Sequence, residues 1–305
     1  MAHYTPLRYP GGKQKLVPFI LEVLKENKTL GSDYAEPYAG GAGVACELLL
    51  AEKVERIHLN DACRAVYCFW KAILEQTEEF CRRVKDTPLT INEWRNQKEK
   101  LSRSLEFDQL ELGFSTFYLN RCNRSGILAG SGVIGGTKQN GAWKMDARFP
   151  RKDLIKRIEA LALKRACISL HNCDAEKFIN SVITKLPKST LVYCDPPYYR
   201  QAKRLYLNHY NPEDHARIAT VIQTQIRQPW IVSYDGVPEI LRNYYQRSAF
   251  LYTLQYNASR VYKGVEVFFF SDDLKVPSGS AMKAIDFALK RRDESAKASQ
   301  ILETL

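Results

Sequence analysis

The chain has no Cys-x-x-Cys pair, although eight cysteines (46, 63, 68, 81, 122, 167, 173 and 194) are scattered along its 305 residues. Paired thiols at short spacing are what structural zinc sites require, so no metal is expected. Unpaired, scattered cysteines fit free thiols in a reducing compartment. The five histidines, at 3, 58, 171, 209 and 215, share no metal-ligand spacing. No apolar run approaches the roughly 20 residues that span a bilayer, and Met1-Ala2-His3-Tyr4 lacks a signal-peptide pattern. A cytoplasmic protein that does not meet a membrane is therefore expected. There is no internal repeat. The glycine-rich segments match neither the dinucleotide G-x-G-x-x-G pattern nor the Lys-Ser/Thr ending of a P-loop, so nicotinamide cofactors and ATP are the weaker candidates.

Negative charge is scarce. Forty-five Lys and Arg against 34 Asp and Glu leave a formal net charge of +11, which favours a polyanionic partner. The excess is partly local. Arg148, Arg151, Lys152, Lys156, Arg157, Lys164 and Arg165 face only Asp153 and Glu159 in their stretch. That pattern suits either a nucleic-acid surface or a solvated helix face.

Apolar periodicity gives the organisation. Lys13 to Lys28 reads as an amphipathic helix and Asp33 to Glu36 as a short strand. Val44 to Lys53 reads as a helix and Arg56 to Asn60 as a second strand. Strands alternating with helices predict an α/β, doubly wound parallel sheet. From about 62 to 165 helical periodicity takes over, with Phe69, Trp70, Ile73 and Leu74 on one face, a helix over about 107–122, and a glycine-rich loop at Gly126–Gly136. Strand patterns resume at Ile168–Leu170, Leu191–Cys194, Trp230–Tyr234, Phe250–Thr253 and Val265–Phe270. The stretch from Gly279 is polar, helix-prone and expected to be a solvated or disordered extension.

Three clusters carry chemistry. Asp195-Pro196-Pro197-Tyr198 follows an apolar strand. A carboxylate can accept a hydrogen bond from an exocyclic amine, prolines leave carbonyls as acceptors, and an aromatic ring can stack on a flat substrate. That set suits methylation of an amino group on a nucleobase. Glu36-Pro37-Tyr38-Ala39-Gly40-Gly41-Ala42-Gly43 forms a turn between strand and helix, where a backbone can approach a ligand closely. Asp61 ends the next strand, where an acid can hold ribose hydroxyls. Upstream, Arg8-Tyr9-Pro10-Gly11-Gly12-Lys13 opens a helix whose amides and lysine can face a carboxylate. A ribose and an amino-acid carboxylate together describe S-adenosylmethionine.

In this order and spacing, Tyr9-Pro10-Gly11-Gly12-Lys13, Glu36 to Gly43 and Asp195 to Tyr198 resemble the Dam-type DNA adenine-N6 methyltransferases. Tyr118-Leu119-Asn120-Arg121 is similar to part of that family's target-recognition region. The resemblance covers about residues 5 to 270 and implies a Rossmann-like methyltransferase sheet with a helical target-recognition insertion. The implied domains are a discontinuous catalytic domain (1–61 and 166–275), a DNA-reading insertion (62–165) and a polar C-terminal extension (276–305). The implied cofactor is S-adenosylmethionine, held by Tyr9, Gly11, Gly12, Lys13, Glu36, Pro37, Gly40, Gly41, Gly43, Asp61 and Asp195. Asp195, Pro196, Pro197 and Tyr198 are the expected catalytic set, with Tyr198 stacking on the target base. Asn120, Arg121, Asn123, Arg124, Lys138 and Arg148 are the expected nucleic-acid contacts. The implied partner is double-stranded DNA, with a cognate restriction or defence nuclease as a further expected partner of a bacterial or phage-encoded enzyme. The Gly126–Gly136 loop departs from the recognition segment of GATC-methylating members, so no target sequence carries over. The rival readings are cytosine-N4 or RNA-adenine methylation, glutamine methylation on a protein, and a DNA-binding regulator without catalysis.

Overall fold

The computed structural model describes residues 4–8, 13–128, 130–200, 210–247, 249–257, 261–277 and 285–287, with backbone alone along 251–257, 261–265 and 285–287. Eight strands form one sheet in the order β3-β2-β1-β4-β5-β7-β6-β8. They are β1 (Tyr34–Glu36), β2 (Ile57–Asn60), β3 (Ile168–His171), β4 (Leu191–Cys194), β5 (Trp230–Asp235), β6 (Ala249–Asn257), β7 (Val261–Phe270) and β8 (Ile285–Phe287). β3 through β5 run parallel; β7 is antiparallel to β5, and β6 is antiparallel to both β7 and β8. A parallel sheet whose order reverses at β1–β4 places a crevice at the strand ends there. This is a Rossmann-like α/β fold.

Short apolar runs form these strands because helices cover both faces. Along β4, Leu191 and Tyr193 face one core, while Val192 and Cys194 face the other. The second core is closed by α8 (Ala175–Ser181), α9 (Pro212–Gln225) and α10 (Pro238–Asn243). The first is closed by α1 (Val17–Glu26), α2 (Gly43–Leu50) and the helices between β2 and β3. The expected helix from Lys13 begins as a 3-10 turn, Lys13–Leu16. Pro18 then sits in the first turn of α1, where its missing N–H costs nothing.

The insertion consists of α3 (Arg64–Glu75), α4 (Thr77–Asp86), α5 (Ile91–Ser102), α6 (Gln109–Cys122) and α7 (Arg151–Leu163). Val66, Phe69, Trp70 and Ile73 form the buried stripe of α3. Asp108 caps α6 by accepting from the Glu111 amide. Every residue of α6 from Leu112 to Cys122 is buried, because α3 and α5 flank it and an aromatic cluster of Phe69, Phe80, Phe114, Phe117 and Phe149 wraps it. These helices share one continuous core with α1 and α2.

Two further expectations differ from the structure. The C-terminal stretch contributes a strand, β8, paired with the outer edge of β6. An edge left by β6 offers unpaired backbone groups, and β8 satisfies them. β7 also starts at Val261 rather than Val265, because its antiparallel pairing with β6 extends to Asn257.

Candidate active site

β1 delivers Glu36 into the crevice, and the chain then turns through Pro37–Ala42 into α2. Gly40 (φ 46°) and Ala42 (φ 42°) both adopt left-handed backbone, the geometry that folds the turn tightly. The turn is held from several sides. The Gly40 amide donates to Asp61 Oδ2 at 2.9 Å, the Trp70 indole N–H donates to the Gly40 carbonyl at 2.9 Å, and the Thr5 hydroxyl donates to the Gly41 carbonyl at 2.5 Å. Asp61 also accepts from the Cys63 amide through Oδ1 at 2.8 Å. Burial pushes its carboxyl up to about 6, against these two amides. Glu36 is 4% exposed; Tyr34 and the Ala45 amide both donate to its Oε1. Burial dominates there and lifts its carboxyl to about 8, so it holds a proton at neutrality.

β4 delivers Asp195 on the other side of the switch point. Ser233, on the neighbouring β5, donates to Asp195 Oδ1 at 2.7 Å. Its own oxygen then accepts from the buried Tyr193 hydroxyl, also at 2.7 Å. Lys13 Nζ stands 3.2 Å from the same Oδ1 and 2.7 Å from Glu266 Oε1, which β7 contributes. Glu266 accepts as well from the Tyr198 hydroxyl at 2.7 Å, and Lys13 lies 5.2 Å from the Tyr198 ring centroid. Among the described residues Asp195 Oδ2 has no hydrogen-bond partner. Burial raises the Asp195 carboxyl above the usual aspartate range; Lys13 and the Ser233 hydroxyl pull it back, and Glu266 pushes it further up. Asp235, two residues beyond Ser233 on β5, accepts the Tyr199 and Arg200 amides at 2.8 and 3.1 Å and so pins the end of the tetrapeptide.

Asp195, Pro197, Lys13, Asp61 and the Glu36–Gly43 turn line one cavity of about 610 Å³. That size is in the range of small-molecule sites. The cavity continues past the N-terminal segment to Arg8, Arg121, Arg148 and Arg157. Tyr9, Gly11 and Gly12 lie outside the described residues. Pro196 is buried. Tyr198 is 9% exposed with its hydroxyl held on Glu266, which leaves little ring surface for the base stacking expected of it.

The expected nucleic-acid contacts divide. Arg124, Lys138 and Arg148 are exposed. Asn120, Arg121 and Asn123 are 1%, 6% and 2% exposed. Asn120 clamps the backbone of Arg8, accepting its N–H at 2.7 Å and donating to its carbonyl at 2.5 Å. Asn123 accepts from the Trp94 indole at 2.8 Å and donates to the Ile127 carbonyl at 2.8 Å. Arg121 donates to the Arg148 and Pro6 carbonyls. Buried in this way, Asn120 and Asn123 are engaged with the backbone and with Trp94, while Arg121 gives Nε and Nη1 to carbonyls.

Sequence reading missed Tyr193, Ser233, Glu266 and Asp235, and also Trp143. Trp143 is 72% exposed in a loop stapled by Gln139, whose amide donates to the Ile134 and Gly136 carbonyls and accepts the Met145 amide. Lys138 and Lys144 flank it, both exposed. The available signal was a lone carboxylate inside an apolar strand for Glu266, and an aromatic among lysines for Trp143.

Among solved structures the chain is similar to the rRNA methyltransferase AviRa from Streptomyces viridochromogenes (10% identity, 86% of each chain covered, TM-score 0.34). It is also similar to protein LPL1258 from Legionella pneumophila (9% identity, 97% of this chain and 92% of that one, TM-score 0.39). A third is the methyltransferase domain of bacterial CtHen1 (11% identity, 84% and 97%, TM-score 0.36). A search of curated proteins finds no match. A family model matches residues 9–260, a span that runs from the N-terminal glycine turn through the insertion and the Asp195 tetrapeptide into the last strands. The chain belongs to the D12 class N6 adenine-specific DNA methyltransferases.

Proposed function

We propose that the protein transfers the methyl group of S-adenosylmethionine to the N6 amine of an adenine extruded from double-stranded DNA. The observation that carries this is Asp195. It shares a cavity with the glycine turn, has Oδ1 fixed by Ser233 and Lys13, and has no partner on Oδ2 among the described residues. The residues suit the methyl donor. The glycine turn admits close backbone approach, Asp61 lies at its edge, and the cavity of about 610 Å³ has room for a nucleoside joined to an amino acid. When bound, that cofactor supplies an electrophilic methyl on a sulfonium.

The amine of adenine is a poor nucleophile because its lone pair is delocalised into the ring. Asp195 Oδ2 and the Pro196 carbonyl accept its two N–H bonds, which favours a pyramidal nitrogen with the lone pair aimed across the cavity. Fixing Oδ1 from two sides limits rotation of the carboxylate, so positioning and electrostatics carry most of the gain. Asp195 also takes the proton the amine sheds, and its raised proton affinity suits that step.

A base within a duplex must leave the stack, at about a few kcal/mol. Exposed Arg124, Lys138, Lys144 and Arg148 provide cations for the flanking phosphates, and Trp143 provides an exposed aromatic beside them. In this reading residues 62–165 form the DNA-reading insertion on a catalytic domain built from 1–61 and 166–275. The experiment is expression in a methylation-free host, with modified bases mapped by single-molecule sequencing. N6-methyladenine at one sequence context, lost in Asp195→Ala, is expected. Methylcytosine alone, or adenine methylated only in RNA, would overturn the proposal.

A further inference from the structure

We propose that Arg121 and Arg157, both carried by the helical insertion, bind the carboxylate at the amino-acid end of the methyl donor. The proposal rests on the cofactor reading above and places part of the cofactor site on the helical insertion rather than on the sheet.

Both guanidiniums line the cavity. Arg121 ends α6 and is 6% exposed. It donates through Nε to the Arg148 carbonyl at 2.6 Å and through Nη1 to the Pro6 carbonyl at 3.4 Å. Its Nη2 has no partner among the described residues. Arg157, on α7, donates through Nη1 to the Thr5 carbonyl at 3.1 Å and pairs through Nη2 with Asp153. Thr5 in turn is bound to the Gly41 carbonyl of the glycine turn. Two cations are thus tethered, through one segment, to the turn where the cofactor is expected.

Three further observations point to an oxyanion there. The amides of Gly43 and Val44 open α2, line the same cavity, and have no acceptor among the described residues. Unpaired amides at a helix start favour negative charge. Arg121 and Arg157 share one nearby acid, Asp153, whose side chain is half exposed. Burial, then Arg8 and Arg157, depress the Arg121 guanidinium to about 9, so the cluster is short of negative charge. Buried like charges are costly until an anion joins them. Finally Lys13, the residue the sequence suggested for this carboxylate, is engaged with Glu266 and Asp195.

A DNA phosphate is the other oxyanion to weigh. Arg121 and Arg157 sit too deep for a duplex backbone, with side chains far less exposed than Arg124 and Lys138, which remain available to it.

The test compares two ligands by calorimetry on the full chain: S-adenosylhomocysteine, and 5′-deoxy-5′-methylthioadenosine, which lacks the amino-acid portion. In the wild type the first should bind much the tighter. In Arg157→Gln its advantage should shrink by roughly 10- to 100-fold, the range of one lost charge-assisted hydrogen bond, while methylthioadenosine affinity stays constant. Arg157→Lys keeps the charge and should retain most of the advantage, and Arg121→Gln, expected to shrink it likewise, serves as the second variant should Arg157→Gln not fold. Equal weakening of both ligands would overturn the proposal. So would unchanged S-adenosylhomocysteine binding with weakened DNA binding, which would assign the cluster to phosphate. A wild type that binds neither nucleoside would instead refute the cofactor reading itself.

Discussion

Ser233→Ala is the sharpest test of how the proposed catalytic carboxylate, Asp195, is held. The Ser233 hydroxyl donates to Asp195 Oδ1 at 2.7 Å and accepts from Tyr193 at 2.7 Å. A hydrogen bond to an ionised group contributes about 1.5–3 kcal/mol. If that bond serves to hold Oδ2 on the amine, its loss appears in the transition state and lowers kcat by roughly 10- to 100-fold. KM for cofactor and for DNA should change little, because Ser233 is fully buried and does not line the cavity. Methyl transfer from tritiated S-adenosylmethionine at saturating DNA measures this.

The same substitution has two side effects that distinguish positioning from general damage. Tyr193 is 3% exposed, so its hydroxyl is left buried and unsatisfied, at about 1–3 kcal/mol of stability. Adding Tyr193→Phe should recover part of that stability without restoring kcat. The Ser233 donor also lowers the Asp195 pKa, so removing it should shift the acid limb of the kcat profile to higher pH. A folded Ser233→Ala enzyme with wild-type kcat and an unmoved acid limb would refute the reasoning.

Three other expectations follow from the same geometry. Glu36 titrates near 8 when folded against an ordinary value of 4.5, so its contribution to stability is present below the unfolded value and is lost as pH rises through the folded one. By pH 9 the loss is roughly 5 kcal/mol, and the melting temperature of Glu36→Gln relative to wild type should climb between pH 6 and 9; a constant difference would sink the claim. Gly126 adopts φ +73°, and a Cβ there would lie 2.2 Å from the Arg8 carbonyl oxygen. Gly126→Ala should therefore cost about 1–3 kcal/mol in urea unfolding, and no loss would show that the Arg8 segment yields freely. Trp143→Ala should leave stability within about 0.5 kcal/mol, as expected of an exposed side chain, yet weaken DNA binding several-fold by fluorescence anisotropy with S-adenosylhomocysteine affinity unchanged. DNA affinity equal to wild type would remove Trp143 from the interface.

Much of the sheet was legible because a strand covered on both faces has to be a short apolar run. Leu191–Cys194 is read without error, and β1, β2 and β5 differ by one residue at an end. The Asp195 tetrapeptide and the glycine turn were legible because their chemistry is local. The network behind Asp195 was not. Ser233 and Glu266 are polar residues in largely apolar strands, and they come to Asp195, Glu266 through Lys13, only because β5 lies beside β4 and β7 beside β5. No local pattern encodes that adjacency. The burial of Asn120, Arg121 and Asn123 was illegible for a related reason. A polar cluster at a helix end reads as surface, but α6 is surrounded on every side, and its polar residues serve the backbone of Arg8, Pro6 and Ile127.

In the proposed mechanism the setting of Asp195 answers two opposed demands. To accept N–H bonds from an amine it must be ionised at neutral pH, which favours a low pKa. To take the proton the amine then sheds, it must bind protons better than a solvated aspartate does. Burial supplies the second property and would by itself override the first. Lys13 and Ser233 restore part of the balance, and both act on Oδ1. Glu266 keeps Lys13 from tipping it too far, since a lysine paired to Asp195 alone would deprive the carboxylate of its proton affinity. The buried Lys13–Glu266 pair is thus better understood as setting the charge on Asp195 than as a stabilising salt bridge, a role in which buried pairs are weak. It also explains why the N-terminal segment, the catalytic strand and an antiparallel strand meet at one lysine. The group that tunes the carboxylate has to come from outside the strand that carries it.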